Sequence, residues 1–92
     1  HFFFAILAVY LGFLLRISSV EWVLLILTIG LVILFEMINT AIEIDIDLTS
    51  PTYHPYARDT KDVAAGAVSV AVIISGIVGA IIFLPKLLLL IK

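Results

Sequence analysis

The stretch WVLLILTIGLVILFEMINTAIEIDID, residues 22–47, decides the architecture. It carries no charge from Trp22 to Phe35, then continues at helical period through Glu36, Asn39, Thr40 and Glu43 to about Asp47. A run of this length and apolarity reads as a membrane helix, because about 20 such residues cross a hydrocarbon core of about 30 Å. With Glu36 set at 0° and an advance of about 100° per residue, Asn39 falls at 300°, Thr40 at 40°, Glu43 at 340° and Asp47 at 20°. One sector of about 100° is therefore polar and acidic, and the remaining faces are compatible with lipid. Asp45 falls on the opposite side and reads as a solvated helix end.

The rest of the chain agrees with a membrane setting. Of its 92 residues 64% are hydrophobic and 13% charged, against about 45–50% and about 25% in ordinary soluble domains. A domain this small buries little more than 60% of its unfolded surface, so the apolar excess would face water in a soluble globule. A formal net charge of −2 leaves no basic footprint for nucleic acid. The absence of cysteine excludes disulfides and thiolate-held metals.

Two further apolar stretches flank the first. Phe2 to Leu15 is uncharged and ends at Arg16, but fourteen residues rise only about 21 Å. Together with the opening His1 in place of Met, this leads us to expect a chain that begins partway into a helix, with a segment missing upstream. No basic segment precedes the run, so a signal peptide is not expected. Ile17 to Val20 is a short turn, and Ser18 with Glu21 three residues on reads as a capping box. Trp22 is then placed as a headgroup-level anchor. Leu48 to Asp59, with two prolines, reads as a connection. The third stretch starts near Thr60, is uncharged from Val63 to Pro85, and is closed by Pro85-Lys86, with Lys92 after a short interfacial tail. Ala67, Ala71, Ser75 and Gly79 form a small-residue stripe suited to close helix packing in lipid. The expected architecture is an all-α membrane protein of three transmembrane helices, forming one domain over residues 1–92.

Depth separates the acids. Measured from Trp22 at about 1.5 Å per residue, Glu36 lies about 21 Å along the helix, Glu43 about 32 Å and Asp47 about 38 Å. Glu36 is still within hydrocarbon depth, where an acid usually faces a bundle interior or marks a functional path. Asn39 and Thr40 could each simply hydrogen-bond a neighbouring helix. Arg58, Asp59, Lys61 and Asp62 gather at the start of the third helix, Asp59 as a candidate cap and Asp62 suited to the positive helix end. Lys61 opposes that dipole, which a bound anion such as phosphate would explain. His54 is a polar residue of the connecting loop.

No glycine-rich phosphate loop, G-x-G-x-x-G or H-E-x-x-H sequence is present. What the chain offers is carboxylates, an amide and a lysine at one membrane face. Magnesium is commonly held by one or two carboxylates plus substrate phosphates, and a carboxylate in a low-dielectric setting suits a general base. Glu36 could reach a hydroxyl presented by a lipid, and Glu43 a magnesium–nucleotide complex arriving from water.

The sequence Glu36-Met-Ile-Asn39-Thr40-Ala41-Ile42-Glu43, then Asp47, Tyr53-His54-Pro55 and Lys61-Asp62-Val63-Ala64-Ala65-Gly66-Ala67-Val68, closely resembles the prokaryotic diacylglycerol kinase family over essentially the whole chain. The wording is more similar to the Gram-positive undecaprenol kinase branch than to the Gram-negative diacylglycerol branch. The resemblance implies a small homotrimeric helical bundle of three-span chains, with active sites shared between subunits, in the bacterial plasma membrane. It implies transfer of the ATP γ-phosphate to a lipid alcohol, with Mg2+ as cofactor. By the same resemblance Glu36 is the catalytic base, Asn39 orients reacting groups, and Glu43 ligates the metal. Asp47, Tyr53, His54, Lys61 and Asp62 line the nucleotide site, and Trp22 and Ala65 join Glu36 in contacting the lipid. Family members carry an amphipathic surface helix with a second acidic metal ligand, which would lie upstream of His1.

The rival readings are diacylglycerol as acceptor, a relative that binds without turnover, and a non-catalytic assembly or ion-conducting protein. A pore predicts polar residues across the whole thickness, yet Trp22–Phe35 and Val63–Leu84 offer only Thr28, Ser69 and Ser75. Charge counting sets Arg16, Lys86 and Lys92 against Arg58 and Lys61, which would turn the acidic cluster outward. ATP chemistry requires it to face the cytoplasm, and that orientation is the one expected.

Overall fold

The computed structural model describes residues 2–91 as three helices: α1 (Phe2–Leu14), α2 (Ser19–Thr49) and α3 (Pro55–Ile91). Expectations resting on His1 and Lys92 lie outside the described residues. α2 and α3 run antiparallel along a shared seam and form most of the tertiary structure. α1, about 20 Å long, docks at the end where α2 begins. The molecule is a rod of 57 × 20 × 18 Å. It leaves 6766 Å² accessible, against about 5,300 Å² for a compact soluble monomer of its mass.

α2 and α3 are each long and apolar enough to cross a membrane. Together with the exposed leucines, isoleucines and valines along them, this makes the chain a membrane protein in which lipid replaces water as the solvent of the outer faces. The hydroxyls behave accordingly. Those of Thr28, Thr40, Thr49 and Ser69 each donate to the carbonyl four residues back, and that of Ser75 donates to Val72. Each is committed to its own helix rather than to a neighbour.

The turn before α2 is built by two local devices. α1 ends in a left-handed cap: Arg16 has φ 52°, the Ile17 N–H reaches the Gly12 carbonyl, and the Arg16 N–H reaches that of Phe13. Arginine in this conformation is uncommon, and glycine is the usual occupant. α2 then opens with the expected capping box, in which the Ser18 hydroxyl accepts from the Glu21 N–H and the Glu21 carboxylate accepts from the Ser18 N–H. Ile17, Leu25, Ile82 and Phe83 form the buried cluster at this end, with Leu11, Leu15 and Trp22 against it. Trp22 packs into the corner between helices, its ring 4.8 Å from that of Phe13. A Cβ at Gly12 would stand 2.7 Å from the ring, so only glycine lets the two helices approach this closely.

Two expected boundaries are corrected. The connection spans residues 50–54 only, because Pro55 occupies the first position of α3, where its missing N–H is no loss. The His54 carbonyl accepts the first intrahelical bond, from Arg58. At the other end Pro85 does not close the helix, which runs on to Ile91. Buried Ile82 and Phe83 just before the proline and a Lys86–Glu21 ion pair just after it hold both sides in place, so tertiary contacts override the local break.

Gly12→Ala should destabilise the chain by about 1–3 kcal/mol, as overpacking does. Thermal unfolding followed by the fluorescence of Trp22, the sole tryptophan, measures this directly. Arg16→Gly should shift the same transition upward.

Candidate functional site

On α2 the half-buried residues Glu36, Asn39 and Glu43 continue the stripe occupied by buried Leu25 and Val32. The spacing of four and three residues, from Leu25 through Ile29, Val32, Glu36, Asn39, Glu43 and Ile46, is that of a helix-packing seam. The polar sector is therefore the packing face itself, turned toward α3 and away from lipid. Asp47 and Thr40 sit on its exposed flank.

Within this sector Asn39 is the organising residue. Its Nδ2 donates to Glu43 Oε1 at 3.4 Å, which orients the carboxylate. Its Oδ1 is buried and without a hydrogen-bond partner, a costly state for an amide oxygen unless a ligand completes it. Glu36 lies on the same face two turns deeper, and the Thr40 hydroxyl donates to its backbone carbonyl at 3.0 Å. Among the described residues no group of three or more His, Asp or Glu side chains converges on a point that could hold a metal ion. The oxygen donors that are present, the Glu43 carboxylate beside the orphaned Asn39 Oδ1, suit a hard cation that takes its remaining ligands from water or phosphate.

Lys61 reaches across from α3 to Asp47, forming an ion pair between the two helices. In a first turn Lys61 would oppose the helix dipole, a placement that a bound anion would explain. With α3 beginning at Pro55, Lys61 instead stands in the second turn, and a carboxylate of α2 is its partner. Asp59 correspondingly is no cap; it pairs at 3.6 Å with exposed Arg58. The cap is His54, whose Nδ1 accepts from the Tyr56 N–H at 3.2 Å. That leaves Nε2 as the outward-facing atom of the ring.

The structure thus brings together Asn39 with Glu43 and Lys61 with Asp47, and puts His54 at the mouth of the α2–α3 connection. Tyr53, Asp62 and Ala65 are exposed around the same end. Trp22 belongs to the opposite end, packed over Gly12. Between the two ends lies an open apolar groove of about 410 Å³, to which all three helices contribute, with Leu11, Val32, Ile33, Gly76 and Phe83 among its lining. It stops about one helical turn short of Glu36. The Lys61–Asp47 contact and the N-cap role of His54 were not foreseen. The first needs the register of two helices, and the second needs only the His-Pro pair read as cap and first helical residue.

A family model described as prokaryotic diacylglycerol kinase matches residues 1–83. The chain is 50% identical over 76 residues to an undecaprenol kinase of Bacillus subtilis, covering 83% of this chain and 62% of that one. It is 40% identical over 89 residues to a diacylglycerol kinase of Synechocystis, covering 96% of this chain and 51% of that one. A diacylglycerol kinase of Escherichia coli is 34% identical over 77 residues, 84% of this chain and 63% of its own. The chain thus spans between half and two thirds of the length of these relatives. No solved structure matches it significantly.

The exposed Lys61–Asp47 pair should contribute little to stability. A double-mutant cycle with Lys61→Met and Asp47→Asn should give a coupling of at most about 1 kcal/mol, shrinking with added salt. Denaturation of the four proteins in detergent measures it.

Proposed function

This chain belongs to the prokaryotic diacylglycerol kinase family, and on that premise we propose that it transfers the γ-phosphate of ATP to a lipid alcohol at the cytoplasmic face of the bacterial plasma membrane. Undecaprenol is the acceptor favoured by the likeness to the Bacillus subtilis protein. Diacylglycerol is the second reading, favoured by the Synechocystis and Escherichia coli relatives. The observation that carries the proposal is the placement of Glu36, Asn39 and Glu43 on one sheltered face of α2, at the end of an apolar groove and with an interhelical lysine about one turn beyond Glu43.

In this reading the apolar chain of the acceptor lies along the groove and its hydroxyl reaches Glu36. The carboxylate accepts the hydroxyl proton as the oxygen attacks the γ-phosphorus, and the bond to the β-phosphate oxygen breaks to release ADP. Asn39 holds Glu43 in place, and the oxygens of both would help hold a Mg2+ ion arriving with the nucleotide, which would neutralise charge on the transferring phosphoryl group. Lys61 exchanges Asp47 for phosphate oxygens when the nucleotide enters. Asp47, Tyr53, His54 and Asp62 surround the rest of the nucleotide, while Trp22 and Ala65 contact lipid. α1 completes a three-span chain, and three chains assemble with shared sites, which encloses a polar face that two long helices leave half open.

Glu36→Gln should lower phosphorylation of undecaprenol in mixed micelles by about 10²–10⁴-fold, the range for loss of a general base. Glu43→Gln should lose activity comparably and raise the Mg2+ concentration needed for half-maximal rate. Retention of normal turnover in both variants would sink the assignment. Rates with undecaprenol and diacylglycerol side by side decide between the two acceptors.

A further inference from the structure

The Glu21–Lys86 ion pair lies at the opposite end of the molecule from the polar cluster and has no part in the chemistry just described. Lys86 Nζ stands 3.1 Å from Glu21 Oε1, and both side chains are well sheltered, at 30% and 23% exposure. The same Glu21 oxygen accepts the Ser18 N–H of the capping box, so one carboxylate ties the start of α2 both to its own turn and to α3.

Among the described residues two ion pairs therefore join α2 to α3, Glu21 with Lys86 and Asp47 with Lys61. They are separated by 26 residues on α2 and 25 on α3, or about 38 Å of helix, which exceeds a hydrocarbon core of about 30 Å. Both pairs then stand at headgroup level, one at each face. Their residue numbers add to nearly the same total, as an undistorted antiparallel register requires. By this register Leu25, Ile29 and Val32 stand opposite Ile82, Val78 and Ser75, and Glu36, Asn39 and Glu43 opposite Ala71, Val68 and Ala64. The α3 side chains along the seam are small or aliphatic, and the Thr28 and Ser75 hydroxyls bond within their own helices. In lipid no exclusion of water drives such faces together, so packing alone resists sliding weakly. A slip of one turn, about 5.4 Å, would carry Lys61 away from Asp47.

We infer that Glu21 and Lys86 are positioning residues: their ion pair sets the register of α2 against α3 and thereby holds Lys61 beside Asp47 at the far membrane face. The value of this placement for catalysis rests on the kinase reading above; the register itself does not. Lys61 is delivered to the cluster by a contact about 38 Å away, through two stiff helices rather than through local packing.

Because the chain has no cysteine, introduced pairs report the register cleanly. Ile42 and Ala64 line one small cleft at the cluster end, and Val68 lies one turn further along α3. In the full-length protein in nanodiscs, without nucleotide, intrachain disulfide formation is compared for Ile42→Cys with Ala64→Cys and for Ile42→Cys with Val68→Cys. Adding Lys86→Met should change the ratio of the two yields by about fivefold, the scale of one sheltered ion pair. Lys86→Arg should restore the parental ratio. Glu21→Gln, which can still close the capping box, should act like Lys86→Met. A parental ratio in both Lys86→Met and Glu21→Gln overturns the inference whatever the activity. With the ratio shifted, the KM for ATP should rise more than kcat falls. A shifted ratio with unchanged KM would leave the clamp standing and overturn the assignment of Lys61 to phosphate.

Discussion

A carboxylate cannot face hydrocarbon unaided, and the architecture follows from where α2 hides its acids. Glu36, Asn39 and Glu43 use the same stripe that buries Leu25 and Val32. Packing and chemistry are thus two halves of one seam, apolar where the helices run through lipid and polar where they emerge. The outer faces along the lipid-spanning stretches are left free to be apolar, and the large side chains exposed there on α2 and α3 are mostly leucines, isoleucines and valines. An acid on any other face would cost up to about 2.5–3.5 kcal/mol on insertion scales, the full figure applying at the bilayer centre and less toward the headgroups.

The seam also orders the polar groups by depth. Glu36 is the innermost, next to the end of the groove; Glu43, steadied by Asn39, is two turns shallower. Asp47 and Lys61 stand at the rim. An apolar acceptor and a water-borne donor would approach such a ladder from opposite ends, so a single helix face separates their binding without a dedicated domain for either.

The legible part of this structure was the part encoded locally. Ser18 and Glu21 are three residues apart and make the expected capping box. The polar sector of α2 followed from counting around one helix. The start of α3 was misjudged because two prolines were read as a loop, although Pro55 has the backbone a first helical residue needs. Pro85 was read as a stop because the contacts that carry the helix through it, Phe83 in the core and Lys86 on Glu21, come from elsewhere in the chain. The partner of Lys61 was missed for the same reason: nothing near residue 61 in sequence points to Asp47. The left-handed turn at Arg16 had no glycine to announce it.

The two interhelical ion pairs have a last consequence, for the angle at which the molecule can stand. Their separation of about 38 Å exceeds the apolar thickness of about 30 Å by only a small margin. Leaning the rod shortens its projection on the bilayer normal. At a tilt of about 40°, the upper end of the range membrane helices adopt, both charge pairs would start to enter hydrocarbon. The charges at its ends therefore limit the lean of the rod to about 40° at most. A membrane that thickens or thins would act on the protein through this one length.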